Sequence, residues 1–154
     1  DANIALGKID PENAARYAAN SDRFAQSVTA LSQQISARLA PVRAKRYIVF
    51  HDAYHYFEHR FGLAPAGSIS DVSAAQPSAA RLLAIRQRLA SSGAVCVFRE
   101  PQFDDKYVQT IIEGTGAREG VLDGLGADLA PDQSAYANLL IRLAEDFAHC
   151  LSGA

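Results

Sequence analysis

The segment Tyr47-Ile48-Val49-Phe50 is apolar at every position, and His51 follows it at once. From there the pattern turns helical, through Asp52-Ala53-Tyr54-His55-Tyr56-Phe57-Glu58-His59-Arg60-Phe61. A strand without alternation is buried on both faces, which is the habit of parallel sheets covered by helices. Sheets of that kind bind ligands outside the carboxyl ends of their strands. Imidazole is the commonest metal-binding side chain. One short stretch therefore constrains the fold class to α/β and puts a metal-ligand candidate, His51, at the edge where such proteins hold ligands.

The rest of the chain repeats the alternation of strand and helix. Asp10-Pro11-Glu12 has the form of a helix start, with Asp as N-cap and Pro at the first helical position. Tyr17, Phe24, Val28, Leu31, Ile35 and Leu39 then recur at helical spacing until Pro41. The spacing predicts one long N-terminal helix over Asp10–Leu39. Strands are predicted at Arg46–Phe50, Ser68–Val72 (the weakest), Ala94–Phe98 and Gly120–Asp123. Between and after them come helices from Asp52 to Phe61, from Gln76-Pro77 to Gly93, from Asp104 to Gly114, and from about Pro131 to Leu151. Gly62 and Gly93 are natural stops, because glycine adopts the left-handed C-terminal conformation without strain. The expectation is an α/β layer with a mostly parallel four-stranded sheet flanked by helices and a long N-terminal helix.

Composition narrows the function classes. A chain of 154 residues suffices for one ordinary domain with a real core. A formal net charge of -2 gives no reason to expect nucleic acid or an anionic membrane surface as partner. There is no apolar run of about 18 residues, the length a membrane-spanning helix requires. The start, Asp1-Ala2-Asn3-Ile4, lacks the basic and apolar regions of a signal peptide, and is read as mature protein or a piece of something longer. Cys96 and Cys150 stand too far apart for a zinc ribbon. They are either two buried thiols or one long-loop disulfide made in an oxidising compartment.

Three polar residues sit where predicted strands end: His51, Glu100 and Asp123. In a parallel sheet all three project at one edge, where imidazole and carboxylate suit zinc, manganese or iron. The alternative for Glu100 and Asp123 is a structural role in capping helices or tying loops. His51, His55 and His59 are spaced by four, and on a single helix they would share a face. The zincin pattern needs Glu directly after the first His, and here Asp52 holds that place. His59 reads as a solvated surface residue, and His149 beside Cys150 as a cation favourable to a helix C-terminus. Arg81, Arg86 and Arg88 read as the solvated face of their helix. Gly124-Leu125-Gly126 does not make a nucleotide fingerprint.

The ordered motifs resemble a known family. Phe50-His51-Asp52-Ala53-Tyr54, Tyr56-Phe57-Glu58, Phe61-Gly62-Leu63, Gln76-Pro77-Ser78, Cys96-Val97-Phe98, Glu100-Pro101-Gln102-Phe103, Leu122-Asp123, Leu125-Gly126 and Cys150-Leu151 look like the second-lobe signature of zinc-specific periplasmic binding proteins of the ZnuA type. These are the solute receptors of ABC metal importers. The match runs from about Asp10 to the C-terminus. It implies a periplasmic protein with two α/β lobes, metal held between them and passed to an ABC permease. On this reading residues 1–40 are the linking region and long helix, and 41–154 the C-terminal lobe. The N-terminal lobe, which supplies further zinc-binding histidines, is not in this sequence.

Carried over residue by residue, the resemblance makes His51 the metal ligand of this lobe and Asp123 a lower-ranked second one. It pairs Cys96 with Cys150 in a disulfide. Where relatives have Asp-Pro-Leu-Gly this chain has Asp123-Gly124-Leu125-Gly126, and the lost proline frees the loop. The cargo is zinc, bound weakly because most chelating groups are absent, and no bond chemistry is implied. An isolated lobe would expose the surface around Tyr54, Phe103 and Leu125, so a homodimer, or swapping of the N-terminal helix, is expected. The rival is a zinc-dependent hydrolase using His51 and His55 with Glu58 or Glu100 as general base. Its weakness is that no Glu follows His51 and no third ligand stands at a standard spacing. A plain interaction domain with a structural His51 is the third reading.

Overall fold

The computed structural model describes residues 2–70 and 77–153, and the chain divides into two compact units, Asp1–Gln34 and Ile35–Ala154. The first unit is helical. Helix α1 spans Ala2–Ile9, a short 3-10 turn covers Pro11–Asn13, and helix α2 begins at Ala14 and runs to Leu39, across the boundary into the second unit. The predicted single helix from Asp10 is thus broken near its start. The Asp10 side chain makes no capping bond to a helical N–H. It accepts instead from Asn13 Nδ2 and from the Tyr17 hydroxyl, both at 2.8 Å.

The second unit is the α/β layer. Strands β1 (Arg46–Val49), β2 (Ala64–Ser68), β3 (Ala94–Arg99) and β4 (Arg118–Val121) form one sheet in the order β2-β1-β3-β4. Every pairing is parallel. Helices α3 (His55–Phe61), α4 (Ala79–Ser92), α5 (Lys106–Ile112) and α6 (Ala135–Ser152) connect and follow the strands.

Both faces of the sheet are buried, as the lack of alternation in β1 requires. On one face Ile48, Phe50, Ile69 and Val97 pack with Ile85 and Leu89 of α4 and with Val108 and Ile111 of α5. On the other, Tyr47, Phe98 and Phe147 of α6 form an aromatic cluster, with ring centroids 5.0 to 5.6 Å apart in edge-on pairs. Edge-on contacts set the electropositive rim of one ring against the face of the next. Tyr47 is also the hydrogen-bond donor to Glu58 at 2.8 Å, and both groups are buried. Burial pushes the Glu58 carboxyl above the ordinary range despite that bond, and pushes the Tyr47 phenol up as well.

Several predicted boundaries need correction. The second strand lies earlier than Ser68–Val72, at Ala64–Ser68, although its pairing continues through Ile69 N–H to Val49 O (3.0 Å) and Ser70 N–H to Phe50 O (2.7 Å). Pro65 hid it from sequence reading. It is tolerated because β2 is an edge strand, where a missing donor can face outward. Asp71, Val72 and Gln76 lie outside the described residues. The helix predicted from Asp52 starts at His55, after a turn in which Ala53 N–H bonds His51 O at 3.0 Å. Arg81 and Arg88 are exposed, as a solvated face requires, and Arg86 is half-buried, but all three also serve as anchors. Arg81 donates to Ser68 O and Ile69 O, Arg88 to Ala66 O, and Arg86 to Thr110 O and Glu113 O. They tie α4 to the β2 segment and to the end of α5. The last helix also starts later than expected, at Ala135, and β4 begins earlier, at Arg118.

Cys96 of β3 and Cys150 of α6 form a disulfide across 54 residues of chain. Closing a loop of that length restricts the unfolded chain by about 4 kcal/mol in the loop-entropy account. Arg118 of β4 donates from Nε and a terminal nitrogen to Cys150 O, at 2.9 and 2.6 Å. A cation there also suits the negative end of the α6 dipole.

Gly120 makes this junction possible. A Cβ at that position would lie 2.5 Å from the Phe98 ring and 3.0 Å from Cys150 Sγ. Gly120→Ala is expected to overpack the sheet against the disulfide and cost about 1–3 kcal/mol. Urea denaturation of the oxidised protein measures it, and an unchanged midpoint would contradict the packing described.

Candidate metal-binding edge

The strand order reverses between β1 and β3, because the chain crosses from β1 outward to β2 and then back past β1 to β3. At such a switch point the connections leave the two neighbouring strand ends in opposite directions, opening a crevice between them. His51 follows β1 and Glu100 follows β3, so the crevice brings together residues far apart in sequence. His51 Nδ1 stands 2.6 Å from Glu100 Oε1. Glu100 is buried, and the His51 side chain is 21% exposed, within reach of solvent.

Aromatic rings hold the histidine in place. Phe103 meets the His51 ring edge-on at 5.7 Å and stacks on Phe50 at 4.6 Å. The Tyr54 ring lies tilted 6.4 Å from the imidazole and is buried, not exposed as the resemblance had suggested. Burial raises the Glu100 carboxyl above its ordinary range, although hydrogen bonds from His51 and from the Tyr54 hydroxyl work the other way. The Tyr54 phenol is raised too, by burial first and then by the charges of Glu100 and Asp123.

Asp123, two residues beyond β4, is occupied by its own loop. Oδ1 accepts from Gln102 Nε2 at 2.9 Å and Leu125 N–H at 3.0 Å, and Oδ2 from Ala127 N–H at 2.8 Å. Burial acts to raise its pKa, but these bonds, with one from Gly126, outweigh it and leave the carboxyl below the ordinary value. They order the loop that the missing proline would otherwise have stiffened. Gln102 was not singled out in the sequence. Its role depends on β3 and β4 being neighbours, which no local pattern reveals.

The histidines do not form one face. His51 lies outside α3, and His55 is its first residue. His55 sits between two acids, with Nε2 3.0 Å from Asp52 Oδ2 and Nδ1 3.6 Å from Glu58 Oε2. His59 is exposed. Among the described residues no group of three or more His, Cys, Asp or Glu side chains is arranged to hold a metal ion. His51 is therefore a single accessible imidazole beside a buried acid. It opens on a pocket of about 420 Å³ lined also by Tyr54, Leu125, Tyr136, Leu139 and Leu143. Around the mouth Tyr56 is 94% and Leu125 77% exposed.

An open parallel sheet with an imidazole at its switch point is an α/β unit with a metal-binding side chain at the edge where such sheets hold ligands. The ZnuA family pattern, described as zinc-uptake complex component A periplasmic, matches residues 2–150, and the chain belongs to that family. It is 48% identical over 147 residues to the high-affinity zinc uptake system protein ZnuA of Brucella suis biovar 1, a match covering 96% of this chain and 44% of that protein. The chain thus spans less than half the length of that relative. A crystal structure of ZnuA superposes with a TM-score of 0.79 at 28% identity, covering 97% of this chain and 53% of that one. The solute-binding protein FpvC of Pseudomonas aeruginosa, solved in complex with Mn2+, gives 0.82 at 25% identity, covering 98% and 55%.

Replacing Asp123 by Ala is expected to cost about 1–3 kcal/mol, the scale of bonds to a charged acceptor, and to speed hydrogen exchange at the Leu125 and Ala127 amides. Because the carboxyl is held below its ordinary value, its stabilisation is full above that value, 3.8, and is lost as pH falls through the lower native one. The stability gap between wild type and Asp123→Ala should therefore narrow in acid. Unchanged exchange at both amides would contradict the loop-ordering role.

Proposed function

We propose that this chain is the C-terminal half of a periplasmic zinc receptor, with residues 1–40 as linking region and long helix and 41–154 as the lobe. The observation that carries the reading is His51 at the β1–β3 switch point of a chain in the ZnuA family. Zinc is cargo here, captured and handed to an ABC permease without bond chemistry. A closed tetrahedral zinc site takes four ligands, and His51 supplies one. The remaining ligands come from the N-terminal lobe that relatives of twice this length contain. Splitting a site between two bodies lets opening of the crevice release the metal. Asp123 stays a reserve ligand, since each of its oxygens already accepts from its own loop or Gln102. The apolar mouth, with Tyr56, Leu125 and Tyr136 exposed, suits cover by that other lobe or, in its absence, by a second copy of the chain.

The hydrolase alternative draws no support from the geometry. His51 lies in a turn and His55 begins α3, and among the described residues no third ligand joins them in a group that could hold a metal ion.

Zinc added to the oxidised, nitrogen-15-labelled chain should give a weak, fast-exchanging shift centred on the His51 ring. His51→Ala should abolish it, and His55→Ala should leave it in place. Tight one-to-one binding that survives His51→Ala would overturn the reading.

A further inference from the structure

Glu100 is not counted among the ligands above, yet it makes the shortest polar contact at the crevice, 2.6 Å to His51 Nδ1. A neutral imidazole carries one ring proton, and an ionised carboxylate can only accept. The nitrogen facing the carboxylate must then be the protonated one, and the other nitrogen keeps its lone pair. The partner of each ring nitrogen decides which one is available to a metal.

The Glu100 end of this contact is withdrawn from water. Glu100 is 4% exposed, at the end of the central strand β3. Phe103 meets the imidazole edge-on at 5.7 Å and the Tyr54 ring lies tilted 6.4 Å from it. The ring therefore has little freedom to turn Nδ1 away from Glu100.

We propose that Glu100 is a positioning residue that locks His51 in the Nδ1–H tautomer and so leaves Nε2 as the nitrogen free to bind a divalent cation. The proposal deepens the zinc-receptor reading and rests on it for the identity of the cation, but the lock itself is a property of the metal-free chain. A glutamine at this position retains an oxygen that accepts from Nδ1–H, whereas an alanine leaves that N–H without its partner. Outer-shell carboxylates of this kind typically tune metal affinity by about 10–100-fold.

The test is a long-range proton–nitrogen correlation spectrum of the metal-free, nitrogen-15-labelled chain, with the His51 signals identified by their loss in His51→Ala. Free histidine favours the Nε2–H form in water, so the expected result departs from the default. Wild type should show His51 mainly as Nδ1–H, E100Q should retain that pattern, and E100A should move it toward Nε2–H. The zinc concentration that half-shifts the His51 ring should rise about 10–100-fold in E100A and much less in E100Q. Nε2–H as the main form in wild type would overturn the proposal. So would an unchanged pattern in a folded E100A. If E100A fails to fold, wild type and E100Q still decide the question. An Nδ1–H lock whose Nε2 is untouched by added zinc would support the positioning role while sinking the zinc reading.

Discussion

The parallel pairing of β1 with β3 carries two strand ends to one edge, and with them His51 and Glu100, which are 49 residues apart. Nothing local to either segment requires them to meet. The meeting follows from a chain that runs out to β2 and returns past β1, leaving a crevice between neighbouring strands that diverge in connection. The pairing is itself held by burial on both faces. Ile48 and Val97 face α4 and α5, while Tyr47 and Phe98 face Phe147 of α6. The disulfide from β3 to α6 and the close approach permitted by Gly120 fix the same layer. The position of the imidazole is thus a consequence of core packing.

Two acids at this edge have opposite fates, and environment decides both. Glu100 lies where burial dominates, so its carboxyl is raised, with His51 as its partner. Asp123 lies where a loop and Gln102 supply several N–H groups, so its carboxyl is lowered. The first faces a side chain that can bind a metal. The second is spent on ordering the loop from Gly124 to Ala127. The difference gives a physical reason for ranking His51 above Asp123 as a ligand.

The central strands were legible because Tyr47–Phe50 and Val95–Phe98 are apolar without interruption, a pattern that points to a covered parallel sheet. The C-terminal helix stripe from Leu139 to Phe147 was legible for the matching reason, its helical period. The edge strand was not, because Pro65 and Gly67 carry turn signals that an edge position overrides. The start of α3 was misplaced because residues 52–54 suit a tight turn and a first helical turn equally well. The arginines of α4 were legible as an exposed face, but their bonds to backbone carbonyls on other elements were not. His51 and Asp123 could be singled out as strand-end residues. The bonds of Glu100 to His51 and of Gln102 to Asp123 could not, since each depends on strand order. The pairing of Cys96 with Cys150 entered through resemblance to a family rather than through spacing.

The account turns on this chain offering zinc one protein ligand, with the rest of the coordination sphere supplied from elsewhere. X-ray absorption at the zinc edge, on the monomeric oxidised chain with substoichiometric zinc, reads that directly. The account predicts a shell dominated by water oxygens with about one imidazole nitrogen, at the Zn–N distance of about 2.0–2.1 Å usual for histidine. Three or more histidine or carboxylate ligands from a single copy of the chain would contradict it.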